Sequence, residues 1–296
     1  MALRSSSFRP SVGVSVTGVD GREELARARS VQGVRMAADA KSRPSVREQL
    51  NPTVAQLVDV LEATMKQELK LEPYQLPKDL ERVDGEMENE RCFIENYAWQ
   101  SKEFRKIHIE LATFCTAKGE SSGLDILHCV LFPRHGEVGT SVPIFGCDLV
   151  CVRGVITAAI VDLSPVTTEK KLSDEYREAF DKHAKQFSEF SIVRDLPEFG
   201  NRIFGDRCVF VRPEGADEAQ KFVKLCGAVM KLHCQLAGNS VGSKPSEGEV
   251  TAARDGQIYY CENQAKNDKT RKILEGAFGA EWTERYMSTL LFDKPE

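Results

Sequence analysis

The sequence predicts a single-domain α/β fold: an α/β/α sandwich whose helices flank a central, largely antiparallel β-sheet. Three observations predict it. Strand patterns dominate from residue 91 to residue 163, joined by short, Gly-containing turns. Several of these segments are apolar on both faces, so the sheet must be covered on both sides. Helical patterns come mostly before and after the strands, and they supply the two covering layers.

Taken in order, Thr53 can cap a helix that carries Leu57, Val58, Leu61, Met65 and Leu69 on one side. A proline-containing connection covers residues 72–78. Strands are predicted over 91–99, 105–111, 124–132, 144–152 and 155–163. In 124–132, Leu124, Ile126, Val130 and Phe132 point one way, and Leu127, Cys129 and Leu131 the other. Residues 169–187 read as a helix and 207–211 as a further strand. Residues 216–236 and 266–278 read as helices, the first with Phe222, Cys226, Val229 and Leu232 inward.

The folded part is predicted to occupy residues 50–296, beginning near Asn51. Residues 1–40 differ in composition. They carry Arg4, Arg9, Arg22, Arg27, Arg29 and Arg35 and several serines, and no acid occurs before Asp20. That is the composition of an organelle transit peptide, with a cleavage region at 34–38; a disordered tail without an address is the alternative.

Composition narrows the classes of function. With 41% hydrophobic and 29% charged residues, the 296-residue chain is globular. Its longest apolar stretches, such as 126–132, fall far short of the ~20 residues that cross a bilayer. The net charge of -5, with no single-sign basic field, argues against nucleic acid as a partner. The nine cysteines are odd in number and form no C-x-x-C pair, so they read as reduced thiols and give no support to a zinc ribbon.

The chemical signal lies in the polar residues that interrupt apolar strands. In 107–111 the period of two puts His108 and Glu110 on one face and Ile107, Ile109 and Leu111 on the other. His128 and Asp148 interrupt the next two apolar segments. A lone buried carboxylate costs several kcal/mol unless paired or protonated. If the strands pair in order, His108, Glu110, His128 and Asp148 converge on one face. Such a cluster suits proton transfer, because burial moves its pKa values toward neutrality. The same set suits a non-haem metal, and spacing alone does not choose between the two. Towards the C-terminus, Lys266, Lys269, Arg271 and Lys272 form a basic group on an acidic chain. It reads either as a solvated helix start or as a contact for an anion or acidic protein.

These residues carry a family resemblance. Leu-Asp-Ile-Leu-His-Cys-Val (124–130), Pro-Ile-Phe-Gly-Cys-Asp (143–148) and Asp-Leu-Ser-Pro (162–165) are similar to segments of the ferredoxin-dependent bilin reductases. Lys-Asn-Asp-Lys-Thr-Arg (266–271) and Glu-Arg-Tyr-Met-Ser (284–288) extend the similarity, which runs from about Tyr74 to Asp293. The resemblance implies the same sandwich fold. It also implies four-electron reduction of biliverdin IXα to phycocyanobilin through bilin radicals, with single electrons from a two-iron two-sulfur ferredoxin. The chain would be a monomer in the plastid stroma and would bind no flavin, nicotinamide or metal. A sister reductase with another product, a bilin carrier without chemistry and a metal enzyme on the same residues are the alternatives.

By the same resemblance, Asp148 relays a proton to the bilin and His128 joins that relay. Glu110 donates the proton that reduces the D-ring exovinyl group, and His108 holds His128 through a water. Val130 packs on the bilin plane, with Asn267 nearby. Lys269 and Arg194 take the propionates, with Thr157 contributing a small hydroxyl. Lys266, Arg271 and Lys272 face ferredoxin. The 113–123 and 134–142 connections are longer than the family pattern.

Overall fold

A computed structural model describes residues 45–87, 89–116, 121–167 and 171–295, all within one compact unit. The predicted transit segment lies outside them. The described chain begins with two capped helices. In α1 (Val46–Gln49) the Ser45 hydroxyl accepts from the Arg47 amide. In α2 (Pro52–Glu68) the cap is Asn51, whose side chain accepts from the Thr53 amide, rather than Thr53 itself. Proline stands at the first helical position of α2, where a missing N–H costs nothing. Leu57, Val58, Leu61 and Met65 are fully buried, as their spacing predicts.

Among the described residues eight strands form one sheet in which every neighbouring pair runs antiparallel. Two of them, β1 (Glu72–Pro73) and β2 (Arg82–Glu86), share the outer edge of β3 (Glu90–Gln100). The short α3 (Lys78–Glu81) leads into β2. From β3 the order runs through β4 (Phe104–Thr116), β5 (Ser121–Pro133), β6 (Ile144–Val152) and β7 (Val155–Ser164) to β8 (Val209–Val211). Much of the 113–123 connection is thus strand rather than loop. At the β6–β7 hairpin Arg153 and Gly154 both take positive φ (50° and 80°), the two-residue turn that suits strand twist. A bulge between Val150 and Cys151 then shifts the register by one residue, so that Asp148 pairs with Ile160.

Two helical layers cover the sheet. On one face α2 and α6 (Gly215–Asn239) pack on Ile107, Ile109, Leu111, Leu127, Cys129 and Leu131. The four inward residues predicted for α6, Phe222, Cys226, Val229 and Leu232, are all buried in that layer. The predicted 169–187 helix is α4 (Asp174–His183) followed by a single 3₁₀ turn; a four-residue α5 (Gly200–Ile203) precedes β8. On the other face lie α7 (Glu247–Gln264), α8 (Asp268–Phe278), α9 (Ala280–Tyr286) and a wide π turn over Met287–Leu291. They cover Val130, Phe132, Ala112 and Phe114.

Hydrophobic spacing did not predict α7, because it buries Gln257, Asn263 and Gln264 alongside Tyr260 and Cys261. Its signal is the capping box at Ser246 and Glu249. It approaches the sheet end at Gly256, where a Cβ would stand 2.0 Å from the Val166 carbonyl oxygen. All nine cysteines are free thiols, eight of them buried. Among the described residues no helix is long and apolar enough to cross a membrane.

Candidate active site

Strand register assembles the site. Asn96 pairs with Glu110, Glu110 with His128 and His128 with Asp148, a straight row across β3, β4, β5 and β6. Direct partners in an antiparallel sheet point to the same face, so three of the four predicted titratable groups, Glu110, His128 and Asp148, share one face. His108 and Val130 are themselves a pair one step along the same face.

Burial grades along the row. His108 is fully buried and Glu110 is 7% exposed, while the Asp148 side chain is 43% exposed. The expectation of a buried Asp148 is therefore corrected: it stands at the open end of the row, where water solvates its charge. His128 Nδ1 and Asp148 Oδ1 lie 2.5 Å apart. Burial works against a His128 cation, but the Asp148 carboxylate, through charge and hydrogen bond, and Glu110 together outweigh it and raise its pKa.

The inner groups shift differently. Burial raises the Glu110 pKa, so its acid form is favoured. Burial, then the positive charges of Lys106 and His128, push His108 well below its ordinary value and keep it neutral. The His108 and His128 rings meet edge-on with centroids 6.2 Å apart, and His108 Nδ1 and His128 Nε2 have no hydrogen-bond partner among the described residues. The expected indirect link between them is compatible with this geometry.

The C-terminal segment closes the row from above. The Tyr286 hydroxyl contacts Glu110 Oε2 and lies 2.9 Å from Asn96 Oδ1. Asn96 also reaches His108 Nε2 at 2.9 Å. The Phe292 ring stands edge-on to His128 at 6.0 Å. Lys106, 1% exposed, donates to the Leu290 carbonyl (2.6 Å) and pairs with Asp293, which also takes Arg105 at 2.6 Å. A cavity of about 550 Å³ lies in the gap between β1 and β2, with Asn96 in its wall.

Sequence reasoning missed Asn96, Lys106 and Tyr286. Asn96 sits among polar neighbours on β3 and gives no contrast. Lys106 lies one repeat before His108 on the same face of β4, so alternation alone could have found it. Tyr286 lies in the Glu-Arg-Tyr-Met-Ser segment, a motif quoted for resemblance alone.

The predicted substrate-binding residues are less convergent. Val130 is fully buried on the site face. The Arg194 guanidinium donates to the Thr157 carbonyl (2.5 Å) and stacks on Phe210, while the Thr157 hydroxyl donates to the Val150 carbonyl. Thr157 sits beside the bulge between Val150 and Cys151. Asn267 caps α8, accepting from the amides of Lys269 and Thr270. Lys269 is exposed, with no ion pair among the described residues. No hydrogen bond among those residues joins Thr157, Arg194, Asn267 or Lys269 to the titratable row. Of the predicted ferredoxin contacts, Lys272 is exposed and Lys266 bonds Asn263. Arg271 is held by Glu284 (2.9 Å) and Glu275 (3.8 Å), so part of the predicted basic charge is already offset. No group of three or more His, Cys, Asp or Glu among the described residues is arranged to hold a metal ion.

A family model described as ferredoxin-dependent bilin reductase matches residues 58–293. Phycocyanobilin:ferredoxin oxidoreductase from Trichodesmium erythraeum is 44% identical over 255 residues, covering 86% of this chain and 98% of that protein. The protein of the same name from Synechococcus sp. is 43% identical over 257 residues, with the same coverage. Among solved structures, tomato phytochromobilin synthase in complex with biliverdin superposes with a TM-score of 0.65 at 14% identity. That match covers 80% of this chain and 81% of the tomato chain, and it supports the fold. The chain belongs to the ferredoxin-dependent bilin reductases.

Proposed function

We propose that this chain catalyses the ferredoxin-dependent four-electron reduction of biliverdin IXα to phycocyanobilin. The observation that carries the reading is the row of Glu110, His128 and Asp148 on three adjacent strands, in a chain 44% identical to a phycocyanobilin:ferredoxin oxidoreductase.

Each hydrogen added to the bilin is one electron from ferredoxin plus one proton from the protein. The His128–Asp148 pair supplies protons at the solvated end of the row. Its short hydrogen bond lets a proton shift between imidazole and carboxylate, and the raised His128 pKa keeps that proton available near neutrality. A bilin protonated there accepts an electron more readily, because positive charge stabilises the added negative charge. At the buried end Glu110, whose pKa burial raises, donates its proton to the D-ring exovinyl group. Neutral His108 adds no second positive charge beside His128. D-ring reduction comes first and A-ring reduction second, through bilin radicals.

Lys269 and Arg194 take the two propionates, for which ammonium and guanidinium groups are the natural partners. Thr157 and Asn267 border the substrate, and Val130 packs on its plane. Lys266 and Lys272, with Arg271, steer the acidic ferredoxin. The N-terminal composition supports import into the plastid stroma, where ferredoxin is reduced, and the folded part acts as a monomer. The test is an anaerobic assay with biliverdin IXα and reduced ferredoxin, with products separated by chromatography. Phycocyanobilin is the expected product. Another bilin as end product keeps the family and refutes the phycocyanobilin assignment, and tight binding without turnover makes the chain a carrier.

A further inference from the structure

Asn96 and Tyr286 are assigned no role above, and their hydrogen bonds can be counted. The Leu80 backbone carbonyl can only accept. The Asn96 side-chain atom 2.7 Å from it is therefore the amide nitrogen, which orients the amide. Asn96 Oδ1 then accepts from His108 Nε2 and from the Tyr286 hydroxyl, each at 2.9 Å. His108 in consequence carries its proton on Nε2. The Tyr286 oxygen stands between Asn96 Oδ1 and Glu110 Oε2 and has a single hydrogen to give. With Glu110 protonated, every contact is filled: Glu110 donates to Tyr286, and Tyr286 to Asn96. With Glu110 ionised, both neighbours of the hydroxyl are acceptors and it can serve only one.

We propose that Tyr286 is a positioning residue whose hydroxyl changes partner with the charge of Glu110. It donates to Asn96 while Glu110 holds its proton, and to Glu110 once that proton has formed a C–H bond on the substrate. Asn96 Oδ1 keeps the His108 Nε2–H bond in both states, so no buried group loses its last partner. Tyr286 keeps its own proton throughout; the transferred proton leaves Glu110, and the electron comes from ferredoxin. The role in turnover rests on the proposed biliverdin reduction, whereas the hydrogen-bond switch does not. The geometry has electrostatic support, since the Tyr286 hydrogen bond pulls the Glu110 pKa down against the upward push of burial.

The groups facing Glu110 are His128 from β5, Asp148 from β6, Tyr286 from α9 and, on its own strand, His108. Lys106 acts on both histidines, and Cys92 lies near Tyr286. Infrared titration of the full-length protein, without bilin or ferredoxin, reads the carboxylic acid C=O band of Glu110, assigned by its loss in Glu110→Gln. Tyr286→Phe keeps the ring stacked on Trp282 (centroids 4.6 Å apart) and removes only the donor. The Glu110 midpoint should rise by about one to two pH units, the value of one hydrogen bond to a charged group. Asn96→Leu leaves Tyr286 no other acceptor, so the midpoint should fall.

Shifts of opposite sign establish the switch. An unmoved midpoint in Tyr286→Phe, or shifts of the same sign in both variants, overturns it. If Tyr286→Phe does not fold, Asn96→Leu decides alone: a lowered midpoint supports the switch, and an unchanged or raised one overturns it. Failure of the wild-type protein to reduce biliverdin would overturn the proposed function and leave this titration standing as a separate test.

Discussion

His128 and Asp148 are direct partners across β5 and β6, and a 2.5 Å hydrogen bond joins Nδ1 of the imidazole to Oδ1 of the carboxylate. One member is buried and the other half exposed, so the pair connects the interior of the sandwich to solvent. The imidazolium is held against its own burial chiefly by the Asp148 carboxylate.

Replacing Asp148 by Asn should therefore lower the His128 pKa. With the carboxylate gone, burial dominates, and the midpoint should drop by at least about one unit. NMR titration of the His128 ring in both proteins measures this. The linkage has a definite sign. A raised folded-state pKa gives stability that is full below the ordinary imidazole value and is lost as pH rises through the folded value. That contribution should be missing from Asp148→Asn.

Removing Asp293 should destabilise the fold. Its carboxylate partners the buried Lys106 and the adjacent Arg105. Burial, then Arg105, already push the Lys106 pKa well down. An uncompensated buried charge costs about 3–5 kcal/mol. Asp293→Ala should show that loss in urea unfolding, whereas Lys106→Met, which removes the charge itself, should cost less.

The acid side of the stability profile should belong partly to His233. Burial between Phe104 and Phe145 lowers its pKa to about 3, and its Nδ1 lies 3.2 Å from the Tyr176 hydroxyl. Below the ordinary value of 6.5 the unfolded chain binds a proton that the folded one refuses. Stability should then fall by up to about 1.4 kcal/mol per pH unit as the pH drops from there toward 3. His233→Phe should narrow the difference in unfolding free energy between neutral and acid pH, and an unchanged difference would remove His233 from the account.

Lys269→Met should weaken substrate binding and leave the product unchanged. The loss of one charge-assisted contact to a propionate corresponds to a roughly 10- to 100-fold rise in KM. Arg194 is already committed to the Thr157 carbonyl and the Phe210 face, so Arg194→Gln should also lower stability. Steady-state kinetics together with thermal unfolding separate the two effects.

Strand periodicity made much of this legible. Alternation alone put His108 and Glu110 on one face and their apolar neighbours on the other. The straight row from Asn96 to Asp148 needed the pairing register of β3 through β6, which alternation within a single strand does not report. The helix that carries Gln257 and Tyr260 was illegible to hydrophobic spacing because it buries amides. The exposure of Asp148 depends on where the covering layer ends, which periodicity does not report. Asn96 and Tyr286 meet Glu110 from 14 and 176 residues away in the chain, a proximity no local pattern encodes.

The most direct test of the central claim is the product formed by Glu110→Gln beside the wild type, under anaerobic conditions with biliverdin IXα and reduced ferredoxin. The wild type should yield phycocyanobilin. The variant, lacking the buried acid, should go no further than a two-electron product, reduced at the A-ring out of the usual order and keeping its D-ring exovinyl group. Full conversion to phycocyanobilin by Glu110→Gln would contradict the assignment of Glu110 as the donor.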